Sequence, residues 1–185
     1  MNRLKWSIAY LCGPIDCAPD RGRGWRDDIT PILRSMDIGI LNPLDKSTIY
    51  SSLDEDEDYA AKRRSLIEEK RYDEVRDLMK KVIRADLAMV DKADFLIAYI
   101  DTSIHMCGSY HEIAVAAHQR KPTLIVCRGG KSAIPPWEWG IIPHEFFFSS
   151  FDGMLEYLEE VNRSSGDIKL WRFFDMEKIY GRKLF

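Results

Sequence analysis

Phe95-Leu96-Ile97-Ala98-Tyr99-Ile100, the loop Asp101 to Gly108, and Ser109-Tyr110-His111-Glu112-Ile113-Ala114-Val115-Ala116-Ala117-His118 form the stretch that decides the fold. Six apolar residues in a row describe a strand buried on both faces, as in a parallel sheet. The segment after the loop predicts a helix from Ser109 to His118. Outward from this unit, Ser7 to Cys12 and Pro122 to Cys127 are further short apolar runs, stopped by Gly13-Pro14 and Arg128-Gly129-Gly130. Ile38 to Leu41 ends at Asn42-Pro43, and Glu145 to Phe148 reads as a fifth strand. Helices are expected at Trp25 to Met36, Val82 to Val90 and Met154 to Val161. Pro31 belongs in a first turn, which would start its helix later than Trp25. Strands alternating with helices imply an α/β protein with a parallel sheet covered on both faces. Ligands in such folds bind beyond the carboxyl ends of the strands, where strand order reverses. The loops Gly13 to Gly24 and Asp101 to Gly108 are expected to meet there.

The totals narrow the function. A chain of 185 residues is expected to form one domain, with 45% hydrophobic and 31% charged residues as in ordinary globular proteins. A formal net charge of -3 provides no broad basic field for nucleic acid. No apolar run reaches membrane-spanning length, and the first residues carry no secretory pattern. Cys12, Cys17, Cys107 and Cys127 lack paired C-x-x-C spacing, which fits reduced thiols in a cytoplasm better than a zinc site. Asp54 to Lys81 is densely charged with a sparse apolar stripe, and reads as one or two exposed helices forming a solvated insertion. The tail from Ile168 to Phe185 carries Trp171, Phe173, Phe174 and Tyr180, and is expected to pack down.

Several residues offer chemistry. Ser109 followed by Glu112 has the spacing of a capping box, in which the glutamate only bonds back to the helix start. Equally, Gly108 permits close approach of a ligand, and a carboxylate in a first helical turn is held ionised, as a nucleophile requires. Asp86 is an ordinary helical aspartate or one turned into the crevice; Asp91 reads as a surface residue and Asp94 as a helix-to-strand junction. Gly13, Pro14, Ile15 and Asp16, then Gly22-Arg23-Gly24-Trp25-Arg26, supply backbone approach, an acceptor, an aromatic face and cations, without matching a dinucleotide or P-loop motif. His118 lies seven residues after His111, the wrong spacing for H-E-x-x-H, so no metal is expected.

Taken together, Tyr10-Leu11-Cys12-Gly13-Pro14-Ile15, Asp86-Leu87 before Asp94 to Ala98, Gly108 to Ala116, and Lys121-Pro122 resemble the nucleoside 2-deoxyribosyltransferase superfamily, which includes deoxynucleoside monophosphate N-glycosidases. The resemblance covers about residues 7–127, with a weaker echo at Trp139-Gly140 on the base side. It implies a flavodoxin/Rossmann-like three-layer fold with a five-stranded parallel sheet, here carrying the charged helical insertion. It further implies Glu112 as the nucleophile that attacks the anomeric carbon, and Asp86 as the group that contacts the base and assists its proton transfer. Tyr10, Gly13, Pro14, Asp16 and Trp25 would border sugar and base, Gly108 and Ser109 would enclose the sugar, and Trp139 would line the base side. Substrates would be a nucleoside or nucleotide and a free base, with no cofactor, in a homo-oligomer whose neighbouring subunit completes the pocket. Met106 departs from the pattern. It stands where transferases carry an aspartate for a sugar hydroxyl and the hydrolases a serine for phosphate; His105, Ser103 or Arg23 are the candidate substitutes. Base exchange, hydrolysis and a catalytically silent nucleotide-binding module are the readings this leaves, with a NAD-cleaving enzyme lacking a signature.

Overall fold

A computed structural model describes residues 2–46, 57–166, 168–171 and 174. Five strands form one sheet: β1 (Ile8–Cys12), β2 (Gly39–Leu41), β3 (Phe95–Ile100), β4 (Thr123–Cys127) and β5 (Phe147–Phe148). Their spatial order is β2-β1-β3-β4-β5, and every neighbouring pair is parallel. The helices are α1 (Arg23–Ser35), α2 (Glu57–Glu68), α3 (Tyr72–Lys92), α4 (Cys107–His118), α5 (Pro136–Ile141) and α6 (Phe151–Arg163). The chain passes from one side of β1 to the other between β2 and β3, so the reversal of strand order lies at β1 and β3. The flavodoxin-like, five-stranded sheet expected of the sequence is the one observed.

Burial explains the layers. Leu96, Ile97 and Ala98 of β3 and Leu124 and Ile125 of β4 are wholly inaccessible, as central parallel strands covered on both faces must be. On one face α3 packs against α4. On the other, Trp25 of α1 stacks on Phe151 of α6 with centroids 5.4 Å apart. The N–H of Ile8 donates to Asp94 Oδ2 at 2.8 Å, so Asp94 is the junction residue expected of it. Asp91 is exposed and accepts from Gln119.

Local structure corrects three boundaries. Helix α1 begins at Arg23, because Gly22 adopts a left-handed conformation (φ 69°) and the Asp20 carboxylate accepts from the N–H groups of Gly22 and Gly24, both at 2.8 Å. Pro31 therefore sits inside the helix rather than in its first turn. Helix α4 begins at Cys107, two residues before the expected start. The charged stretch is not wholly an insertion. Its first part lies partly outside the described residues, α2 follows, and its last third is the front of α3, which runs unbroken for 21 residues into the core. Hairpin α2–α3 is held by buried Tyr59, Ala60 and Leu66, with the Tyr59 hydroxyl donating to the Leu78 carbonyl at 3.2 Å.

The expected fifth strand shortens to Phe147–Phe148, since His144–Phe146 coils into a 3₁₀ turn after Pro143. Trp171 of the tail packs down as expected: it is fully buried, 5.2 Å from the Phe95 ring, and its Nε1–H donates to Tyr157 at 2.8 Å. Burying a whole indole contributes on the order of 4–6 kcal/mol. Phe173 and Tyr180 lie outside the described residues.

Candidate functional site

Strand alternation places the first part of the site. Side chains two apart on β1 share a face, so Tyr10 and Cys12 both point toward α4. They converge on one carboxylate. The Tyr10 hydroxyl donates to Glu112 Oε1 at 3.0 Å, and the Cys12 thiol donates to Oε2 at 3.1 Å. The same thiol lies 3.5 Å from the Ser109 carbonyl oxygen. Both donors are completely buried. Burial, reinforced by the Glu112 charge, pushes the Tyr10 hydroxyl and the Cys12 thiol well above their ordinary values. Each therefore keeps its proton and remains a donor.

This geometry removes the capping box. Met106, not Ser109, precedes the first helical residue, no side chain caps that end, and no acidic residue lies in the first turn. Glu112 sits in the second turn, where Tyr10 and Cys12 of β1 reach its carboxylate.

The second part comes from α3. Met79, Val82, Ile83 and Asp86 recur at helical spacing and turn one stripe toward α4. Asp86 Oδ1 lies 3.1 Å from Lys46 Nζ, and the lysine side chain is fully buried. Lys46 follows β2 at the same edge of the sheet and was not among the residues singled out by sequence. Its signal was faint: one lysine in a loop at the carboxyl ends of the strands.

Between α3, α4 and the loop after β1 lies a cavity of about 420 Å³, lined by Asp86, Glu112, Met106, Gly108, Ser109 and His105 among others. That volume suits a small molecule. Gly13, Pro14 and Asp16 line its other wall, and Asp16 is tied to Arg63 of α2 at 2.7 Å. The insertion thus reaches the rim of the cavity instead of standing away from it. Gly13 is there for close packing: a Cβ would meet the Trp25 ring at 3.0 Å and the Tyr99 carbonyl at 3.2 Å. The loop is anchored by buried Arg26, which donates to the carbonyls of Leu11, Gly13 and Gly22. Arg26 is a brace for the loop rather than a ligand-binding cation.

Other expected residues go elsewhere. Tyr10 lies beneath Glu112 as its hydrogen-bond donor and does not border the cavity. Trp25 lines a second cavity of about 410 Å³ on the opposite face of the sheet, with Tyr99, Phe151, Asp20, Asp101 and Arg128. Trp139 stands on α5, edge-on to Phe147, and lines neither cavity. Of the candidate substitutes for Met106, only His105 lines the Glu112 cavity. Ser103 donates to Asp101, and Arg23 is exposed at the start of α1. Among the described residues, no group of three or more His, Cys, Asp or Glu is placed to hold a metal, and no helix is long and apolar enough to cross a membrane.

Sheet order, crossover point and parallel pairing together define a flavodoxin-like α/β protein with a cavity at the switch point. Among solved structures, the chain is similar to the 2-deoxyribosyltransferase of Bacillus psychrosaccharolyticus, a biocatalyst for nucleoside synthesis, with a TM-score of 0.54 and 13% identity over 82% of this chain and 92% of that one. It also aligns with the 2-desoxiribosyltransferase of Leishmania mexicana, at 16% identity over 96% and 99% of the two chains, with a TM-score of 0.43. No protein-family model matches the sequence, and neither does any curated protein. The Bacillus enzyme thus shares the fold expected of this sequence.

Proposed function

We propose that this chain cleaves the N-glycosidic bond of a deoxynucleoside through a covalent glycosyl–Glu112 intermediate and passes the deoxyribosyl group to a second base. One observation carries the reading: the Glu112 carboxylate, aimed into the cavity, is gripped by two donors that keep their protons, with a second, ion-paired carboxylate across from it. Two carboxylates of different surroundings are the apparatus of a retaining displacement at an anomeric carbon.

In the first step a Glu112 oxygen attacks C1′, and the C1′–N bond breaks with its electron pair leaving on the base. The proton that the departing nitrogen needs starts on the Lys46 ammonium, passes to the Asp86 carboxylate 3.1 Å away and is delivered by the Asp86 carboxyl, leaving Lys46 neutral. The incoming base returns it by the same route in the second step. The apolar stripe Met79, Val82 and Ile83 supplies a dry surface for a base ring. No cofactor enters. Met106 offers no partner to phosphate, and no lysine or arginine is among the described lining residues, which supports a nucleoside over its 5′-monophosphate. Homo-oligomerisation belongs to the reading, with Trp137 and Trp139 of α5, 78% and 45% exposed, as the surface that a second copy would cover.

Met106 also favours a second reading, a silent nucleotide-binding module. Incubation with each deoxynucleoside and deoxynucleoside monophosphate, with and without an acceptor base, separates these. Free base appearing only with acceptor is the expected result. Base released in water alone makes the protein a hydrolase, and binding without release makes it a silent module.

A further inference from the structure

The Tyr10 and Cys12 donors on Glu112 are unequal. A phenol is a strong donor and a thiol a weak one. Tyr10 holds Oε1 and Cys12 holds Oε2 at nearly the same distance, 3.0 and 3.1 Å. When a carboxylate attacks carbon, the attacking oxygen becomes the bridging oxygen of an ester and loses most of its power to accept. The other becomes the ester carbonyl and keeps it. The hydrogen bond on the attacking oxygen must therefore be given up in the transition state, and a weak bond resists this less. The Cys12 thiol also has somewhere to turn, because the Ser109 carbonyl already lies 3.5 Å from its sulfur.

We infer that Cys12 is a positioning residue: its thiol aims Oε2 as the attacking oxygen and passes to the Ser109 carbonyl as the bond to the sugar forms. The inference rests on the proposed glycosyl transfer. Oε2 donates a lone pair to C1′, the C1′–N pair leaves with the base, and the thiol proton stays on sulfur, changing only its acceptor. Tyr10 remains on Oε1 throughout and stabilises the ester carbonyl. The strand explains why one residue performs this task. Position 12 is the last of β1, two residues beyond Tyr10, so both side chains meet the same carboxylate from the same face.

Replacing the thiol by a stronger donor should therefore do more harm than removing it. In single-turnover mixing, Cys12→Ser should slow release of the first base about 10-fold, a barrier increase of about 1.4 kcal/mol. KM should stay within about twofold of the parent, and Cys12→Ala should be slowed less. Equal losses in the two variants, or serine faster than alanine, would overturn the inference, since sulfur would then only fill space. Infrared spectroscopy supplies a readout that packing cannot move. The S–H band assigned by subtraction of Cys12→Ala should rise in frequency when the glycosyl–enzyme accumulates, because its acceptor changes from a carboxylate to an amide carbonyl. An unmoved band also overturns it. A parent protein that releases no base from any nucleoside removes the functional reading and this inference with it. Active parent, inactive Glu112→Ala and unimpaired Cys12→Ser remove the inference alone.

Discussion

Two cavities of almost equal volume open at the same edge of the sheet, one on each face, with Pro14 in the wall of both. Each contains carboxylates and an aromatic or apolar wall, yet they differ in how the carboxylates are held. On the α1–α6 face, Asp20 accepts from two backbone amides, and Asp101 accepts from Ser103 and from Arg128 at 2.8 Å. These bonds hold both carboxyls below their ordinary range, the Asp20 carboxyl through the amides of Gly24 and Gly22 and the Asp101 carboxyl through Ser103 and then Arg128. They fix loops. On the α3–α4 face, Glu112 meets a phenol and a thiol, and Asp86 meets a buried ammonium. The Asp20 and Asp101 bonds are made within or between surface loops and depress both carboxyls, whereas the partners of Glu112 and Asp86 are buried side chains brought in from β1 and from the loop after β2.

The largest effect should come from Glu112→Gln, which keeps the shape and removes the nucleophile: base release should fall about 10⁴-fold, measured by chromatography of free base. Retention of the parent rate would erase the distinction between the cavities. Lys46→Met comes next. It leaves the Asp86 carboxylate without its buried ammonium, so base release should drop about 100-fold, and stability in urea should fall by about 3 kcal/mol. Adding Asp86→Asn to Lys46→Met should recover part of that stability; a double variant less stable than Lys46→Met would contradict the ion pair.

Asp101→Asn tests the other face. It should cost about 1–2 kcal/mol at neutral pH while base release changes less than about twofold. Because folding depresses the Asp101 pKa, the stabilisation is present above the ordinary carboxylate value and is lost as pH falls through the lowered one. The stability gap between parent and variant should therefore close in acid, and a gap constant with pH would show that the ionised form is not what matters. The smallest effect belongs to Glu138, which is buried, with Oε2 unpaired among the described residues, and whose pKa burial raises. Its contribution runs the other way: it is favourable below the ordinary glutamate range and lost as pH rises through the raised value. Glu138→Gln should stabilise the protein at neutral pH by about 1 kcal/mol, seen as a higher melting temperature that vanishes in acid.

Legibility in the sequence followed the range of the forces involved. Apolar runs report burial directly, so β1, β3 and β4 could be read within a residue or two. The start of α4 could not, because Met106 has no capping side chain and the Ser109–Glu112 spacing offered a convincing decoy. Charge density on Asp54 to Lys81 hid the continuity of α3, since a helix with one buried stripe looks like a solvated one until its partner is known. Glu112 and Asp86 could be singled out from pattern and resemblance. Cys12 lies two residues beyond Tyr10, and strand alternation alone puts the two on one face. Lys46 was out of reach: its pairing with Asp86 spans forty residues, and no local periodicity encodes a contact of that kind.

Helix α3 also sets how this protein tolerates change in length. Its 21 residues span about 30 Å, with the charged outer half and the Asp86 half on one rigid rod. Residues gained or lost in the exposed turn between α2 and α3 leave the spacing from Met79 to Asp86 unchanged. A single deletion between Met79 and Asp86 would turn everything beyond it by about 100°, carrying either Met79 or Asp86 out of the cavity wall. Natural or engineered variants should therefore tolerate length changes in the turn before Tyr72, and keep a fixed spacing from Met79 onward.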